Sequence, residues 1–256
     1  MRLEANDLSF GYPERPVGRN VTLAIGPGEV LCLLGPNGCG KTTLFKTLLG
    51  LLPRQGGTLA IGGDALDRMT RRALALRLAY VPQAQGLPFP FTALEVVLMG
   101  RVAHRGLLEG PTAADRAGAA AALAELGIGE LAGRDVTRLS GGQRQLVLIA
   151  RALAQAAPLV VMDEPTASLD FGNQVRVLTE VKRLAARGTG VLLSTHNPDH
   201  AFAVATRVVL MRDGAFLASG RPDAVLTADN LRAAYEVPVS VERLSSGQTI
   251  CAPVYG

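Results

Sequence analysis

One loop constrains this chain more than any other stretch: Gly35-Pro36-Asn37-Gly38-Cys39-Gly40-Lys41-Thr42-Thr43. The apolar run Val30 to Leu34 precedes it and reads as a buried strand. A helical stretch from Thr43 to Leu52 follows and is expected to stop at Pro53. Between strand and helix, the spacing G-x-x-x-x-G-K-[ST] acquires a physical meaning. Its glycines permit backbone shapes in which successive N–H groups turn inward. Those donors and the positive end of the helix hold a polyphosphate. Lys41 adds a point charge near the β- and γ-phosphates, and the Thr42 hydroxyl suits Mg²⁺. The bland alternative is a glycine turn that merely joins strand to helix. Spacing and context together argue against it, and the loop is read as a nucleoside triphosphate site.

Other strand ends carry groups that such chemistry would use. Leu159 to Met162 is a continuous apolar run ending in Asp163-Glu164. Carboxylates at the end of a buried parallel strand are unfavourable unless they serve an ion or a reaction. Asp163 suits the Mg²⁺ shell, and Glu164 suits a general base that polarises water. Val191 to Thr195 is a further buried strand and ends at His196. A lone histidine is more often structural. At an edge where ligands collect, however, His196 is placed to contact a γ-phosphate or fix the water. Gln83 follows the strand Leu78 to Val81. It is either a solvated loop residue or a carbonyl that reaches Mg²⁺ or the attacking water. Tyr12, in the turn Gly11-Tyr12-Pro13, is either a half-buried turn residue or a ring stacked on the base. His104 and His200 are expected at the surface.

A second anion-seeking feature is Leu139-Ser140-Gly141-Gly142-Gln143, which opens a helical stretch to Ala156. A cap hydroxyl and free backbone N–H groups meet there. Alone, Ser-Gly-Gly is an ordinary helix cap. If one chain cannot present both this end and the phosphate loop to one nucleotide, two chains can, head to tail. That predicts a dimer with ATP sandwiched between its copies.

The remaining organisation is an α/β body with a helical insertion. Leu3 to Phe10 and Val21 to Ile25 read as a hairpin, and Thr58 to Ile61 as another short strand. From Ala84 to about Arg138 the character changes. After an irregular stretch around Pro88, Thr92 and Glu95 form a capping box for a helix running through Met99. A loop spans Gly106 to Pro111, and Thr112 to Leu126 is a helix by propensity. Asp170, in Ser168-Leu169-Asp170, caps a helix through Leu184. Arg207 to Arg212 and Ala215 to Ser219 form a closing hairpin around Asp213-Gly214. A short helix, Asp229 to Tyr235, and a weak final strand end the chain.

Composition narrows the function classes. The 256 residues, 48% hydrophobic and 19% charged, suffice for a sizeable buried core. The net charge of +4 comes from scattered arginines, and aromatics are only 4%, which excludes a stacking nucleic-acid platform. Cys32, Cys39 and Cys251 lack metal-ligand spacing or pairing logic, and a reducing cytoplasm is the expected setting. No signal-like segment is visible and no apolar run reaches membrane-spanning length, so service to a membrane is expected to run through partners.

Together these residues resemble the ATP-binding cassette ATPases. Gly35 to Thr43 matches Walker A, and Leu139 to Gln143 reproduces the signature Leu-Ser-Gly-Gly-Gln in full. Leu159 to Glu164 matches Walker B with its catalytic Glu. Gln83 matches the Q-loop, Ser168 to Asp170 the D-loop, His196 the switch histidine and Tyr12 the A-loop aromatic. Cys39 stands where Ser is common, at a position that contributes mainly backbone. The resemblance implies one cassette domain over residues 1–256. Its core would be a P-loop NTPase fold, a RecA-like mixed sheet with an antiparallel β subdomain, carrying an α-helical subdomain at about 84–156. It also implies a homodimer closing on ATP and Mg²⁺, with Glu164, His196 and Gln83 catalytic, Thr42, Gln83 and Asp163 at the metal, and the signature acting in trans. Two membrane permease subunits would attach, and a periplasmic or lipoprotein solute-binding protein would act indirectly. The chain would then lie on the cytoplasmic face of the inner membrane. Phe91 to Arg101, Asp163 to Gln174 and Thr195 to Ala201 look like importers of iron-siderophores, heme and cobalamin. Importers of molybdate or another metal oxyanion share these features. A soluble cassette ATPase of cofactor or cluster assembly is the alternative of another class, and a small-molecule P-loop kinase would have no use for Leu139 to Gln143.

Overall fold

The computed structural model describes residues 1–83, 89–105 and 109–255. Expectations for 84–88 and 106–108, at the start of the insertion and in its first loop, lie outside the described residues. The chain opens with alternating apolar and polar residues that form a hairpin, β1 (Leu3–Tyr12) and β2 (Arg15–Ile25). The turn is only Pro13-Glu14, so Tyr12 is the last residue of β1, paired with Arg15, and not a turn residue. The strand β3 (Val30–Leu34) has no polar face and is buried along its length, as expected of the middle of a parallel sheet.

The phosphate loop leads from β3 into α1 (Lys41–Leu48). This helix starts earlier and ends sooner than the sequence suggests. Gly50 takes the left-handed cap at φ +64°. Its N–H reaches the Thr47 carbonyl at 3.0 Å, and the Leu51 N–H reaches the Lys46 carbonyl at 2.8 Å. A glycine cap of this kind ends the helix before Pro53 has any influence. Next, β4 (Gly56–Ile61) pairs with β1, β5 (Asp64–Ala65) pairs with β4, and α2 (Arg71–Ala75) leads to β6 (Leu78–Val81).

Three helices stand between β6 and β7 (Leu159–Met162): α3 (Ala93–Leu98), α4 (Ala113–Glu125) and α5 (Gly141–Gln155). Each begins with a reciprocal box, Thr92/Glu95, Thr112/Asp115 and Ser140/Gln143, in which side chain and backbone cap one another. The chain continues through α6 (Phe171–Ala186), β8 (Gly190–Thr195), α7 (Pro198–Val204), β9 (Arg207–Arg212) and β10 (Ala215–Gly220). It ends with α8 (Pro222–Val225), α9 (Ala228–Tyr235), β11 (Val239–Arg243) and β12 (Thr249–Pro253). Where one weak strand was expected, β11 and β12 form an antiparallel hairpin. Alternate residues Val239 and Val241 pack against the buried Leu231 cluster, which gives the hairpin an apolar face.

Among the described residues, the strands order β10-β9-β3-β8-β7-β6 in one sheet and β2-β1-β4-β5 in another. In the first, β6 to β9 and β3 run parallel and β10 is antiparallel. The second sheet is antiparallel. Phe10, Phe45 and Leu48 fill the core between the two sheets and α1, while Leu123, Leu146 and Ile149 belong to the core shared by the inserted helices and the parallel sheet.

Candidate nucleotide site

Parallel register brings the chemistry to one edge. Leu34 of β3 pairs with Thr195 of β8, and Met162 of β7 pairs with Leu193. The phosphate loop, Asp163-Glu164 and His196, each just past one of these strands, therefore emerge side by side at their carboxyl ends. The loop is pressed from behind. A Cβ on Gly35 would lie 2.2 Å from the Met211 carbonyl oxygen, which comes from the end of β9. Gly40 has φ +107°, and a Cβ there would lie 2.8 Å from Val17 Cγ1 on β2. Only glycine satisfies both the dihedral and the space at that position.

Lys41, the first residue of α1, is 5% exposed. Its Nζ donates to the carbonyls of Gly35 at 2.7 Å and Pro36 at 3.0 Å. The same nitrogen lies 3.6 Å from Glu164 Oε1. Glu164 Oε2 in turn lies 3.3 Å from His196 Nδ1. One carboxylate thus stands between a held ammonium and an imidazole. Glu164 has φ +46°, a left-handed conformation that a non-glycine residue adopts at a cost of about 1 kcal/mol.

Ser194, on β8, explains how that backbone is held. Its hydroxyl donates to Asp163 Oδ1 at 2.6 Å and accepts from the Glu164 N–H at 2.9 Å. Sequence reading passed over Ser194, because nothing local distinguishes a serine near the end of an apolar strand. Asp163 is buried, and its other oxygen, Oδ2, has no hydrogen-bond partner. A buried carboxylate oxygen with no donor is an acceptor that a hard cation would complete. The Asp163 donor set therefore fits Mg²⁺. Thr42, exposed in the first turn of α1, and Gln83 both line the cleft that Glu164, the residue after Asp163, also lines.

That cleft has a volume of about 640 Å³ and gathers Tyr12, the loop from Asn37 to Thr43, Gln83 and Glu164. It is also lined by Arg15, Val17 and Gly214, which sequence reading missed. Arg15 and Val17 arrive because β2 begins at Arg15 and not near Val21. Gly214 arrives because its N–H donates to the Cys39 carbonyl at 3.0 Å, so the β9–β10 turn backs the loop. Cys39 itself is buried, and burial pushes its thiol above its ordinary value, with Lys41 opposing. It packs as an inert filler.

Ser140 to Gln143 do not line this cleft. Ser140 is exposed at the start of α5, its Oγ accepting from the Gln143 N–H at 3.2 Å. The Gln143 side chain accepts from the Ser140 N–H at 3.1 Å. Leu139 is buried beneath them. Gly142 adjoins the stretch before α6, where a Cβ on it would lie 3.4 Å from the Ser168 carbonyl. Asp170 caps α6 by accepting from the Asn173 N–H at 2.8 Å.

The expectation for His200 is corrected. It is half-buried, with Nδ1 3.2 Å from Thr166 Oγ1 and 3.4 Å from Thr195 Oγ1. Only His196 and Asn197 separate β8 from α7, so the first turn of α7 points this ring back at the sheet edge. Burial lowers its pKa and favours the neutral imidazole. His104 is exposed, with Nε2 2.7 Å from the Gln155 carbonyl.

The sequence profile described as ABC transporter matches residues 18–167, more than half of the chain. The chain belongs to the ABC transporter family. It has the ABC ATPase fold and is an ATPase of that family. This ABC chain is 41% identical over 242 residues to a cobalamin import ATP-binding protein of Halobacterium salinarum, covering 94% of the chain and 60% of that protein. It is 41% identical over 228 residues to a hemin import ATP-binding protein of Streptomyces coelicolor, covering 89% of the chain and 80% of that protein. Among solved structures it matches a chain of an inward-facing ABC transporter described as of metal-chelate type. The TM-score is 0.86 at 33% identity, over 99% of this chain and 97% of that one. Among the described residues no helix is long and apolar enough to cross a membrane.

Proposed function

We propose that this ABC ATPase is the energising subunit of an importer for a metal chelate of the cobalamin, heme or iron-siderophore class. It works as a head-to-tail homodimer attached to two membrane permease subunits, with a solute-binding protein delivering cargo from the other side. The chelate class is supported by what the similar proteins are named for importing. The stretches Phe91 to Arg101 and Thr195 to Ala201 support it from within the chain. Attachment from the cytoplasmic face follows from this role.

The observation that carries the ATPase mechanism is the position of the Glu164 carboxylate, 3.6 Å from Lys41 Nζ and 3.3 Å from His196 Nδ1. Tyr12, at the rim, offers a ring face to the base. The inward N–H groups of the phosphate loop and the Lys41 ammonium take the β- and γ-phosphate oxygens, so Lys41 exchanges Glu164 for phosphate. Released, the carboxylate accepts a proton from a water that attacks the γ-phosphorus as the bond to the β–γ bridging oxygen breaks. His196 steadies the γ-phosphate and that water, and the Gln83 side chain, which lines the cleft, orients it. Asp163, Thr42 and Gln83 would hold Mg²⁺, which neutralises phosphate charge when bound. Ser140 and the free N–H groups of α5 face solvent in one chain. They meet the γ-phosphate held by the other copy, so only triphosphate closes the dimer.

Glu164→Gln keeps the shape of the site and removes the base. With ATP and Mg²⁺ it should bind nucleotide, hydrolyse it at least about 100-fold more slowly and elute as a dimer. With EDTA the same protein should elute as a monomer. A variant that stays monomeric with MgATP would overturn the sandwich. For the substrate, cells whose only copy carries Glu164→Gln should fail to take up cobalamin or hemin. Normal uptake of both would remove those two from the class.

A further inference from the structure

The segment bearing His196 is held from the far end of the chain. The Tyr235 hydroxyl, at the end of α9, donates to the His196 carbonyl at 3.1 Å. Three residues on, Asp199 Oδ1 accepts from the Cys251 N–H of β12 at 2.8 Å. The C-terminal helix and hairpin thus grip both ends of the short connection between β8 and α7. Both grips are anchored: Leu231 and Ala234 of α9 are buried in one cluster with Ala201 of α7 and with Cys32 and Leu34 of β3, and Tyr235 and Cys251 pack against it. Burial pushes the Tyr235 phenol above its ordinary range, so it remains a protonated donor at neutral pH.

The His196 side chain, by contrast, is 51% exposed, and the Glu164 carboxylate touches its Nδ1. A ring with so little packing takes its position from its own backbone. We propose that Tyr235 is a positioning residue for ATP hydrolysis: through the His196 carbonyl it sets the imidazole against Glu164. This rests on the role given to His196 above. It also ties the segment after α8, outside residues 18–167 matched by the family profile, to the reaction centre.

The test uses the full-length chain with Tyr235→Phe, which keeps the ring and deletes one hydroxyl. Loss of one positioning hydrogen bond should lower kcat for ATP hydrolysis about threefold to tenfold. KM for ATP and the thermal midpoint should stay near those of the unsubstituted chain. In a His196→Ala background, adding Tyr235→Phe should change kcat no further. An unchanged kcat for Tyr235→Phe, with His196→Ala slow, overturns the proposal and leaves the role of His196 standing. Effects of the two substitutions that multiply independently also overturn it, since Tyr235 would then act by another route. If His196→Ala hydrolyses at the normal rate, the role of His196 falls, and the Tyr235 proposal with it.

Discussion

Backbone strain and an unsatisfied polar atom meet where the candidate site lies. Gly40 at φ +107°, Glu164 at φ +46° and the orphaned Asp163 Oδ2 all lie at the carboxyl edge of the parallel sheet. Such features persist only where their surroundings over-determine them. Gly40→Ala should therefore lose about 1–3 kcal/mol in denaturant unfolding, because the added Cβ meets both a positive φ and the Val17 side chain. The same variant should bind ATP more weakly in a fluorescence titration. Ser194→Ala is expected to cost about 1–3 kcal/mol, since it removes the donor to a buried carboxylate and the acceptor for the Glu164 N–H. Its kcat should fall with its stability. Unchanged turnover would mean that Glu164 needs no backbone support.

At the scale of elements, sequence and structure agree at the box that opens α3 at Thr92, whereas α1 starts earlier than expected. A side chain three residues into a helix reaches back to its own cap, so the contact is written into adjacent positions. The box at Thr112 has a pH consequence. The Thr112 hydroxyl and N–H, then Arg101, hold the Asp115 carboxylate down from its ordinary 3.8 to about 2. The native state therefore favours the ionised form, and the box stabilises α4 fully above pH 3.8 and progressively less as pH falls to about 2. Asp115→Asn should have a lower thermal midpoint than the unsubstituted chain at pH 7. That gap should narrow as pH falls through the same window. A gap of constant size down to pH 2 would assign the effect to packing.

At the scale of the molecule, the cleft and the signature end of α5 are separate in one chain. A dimer that shares them predicts complementation. Lys41→Ala and Ser140→Arg should each be inactive alone, the first lacking phosphate charge and the second blocking closure in trans. A mixed dimer places both lesions in one site and leaves the other intact. Mixing the two proteins should restore up to about a quarter of normal phosphate release, half the dimers being mixed and half their sites sound. No recovery on mixing, with dimers present, would mean that each chain completes its own site.

The phosphate loop, the acidic strand end, the Thr92 capping box and the buried strands were legible in the chain itself, because each is decided by residues close together in the chain. The ends of α1 were not, since a glycine cap at Gly50 outweighs a proline further on. Nor was Arg15 at the cleft, nor Ser194, His200, Gly214 or Tyr235, whose hydrogen bonds span from 5 to 175 positions along the chain. Tertiary structure alone decided those, because parallel pairing sets which strand ends meet, and strands buried on both faces carry no alternation that would encode their register.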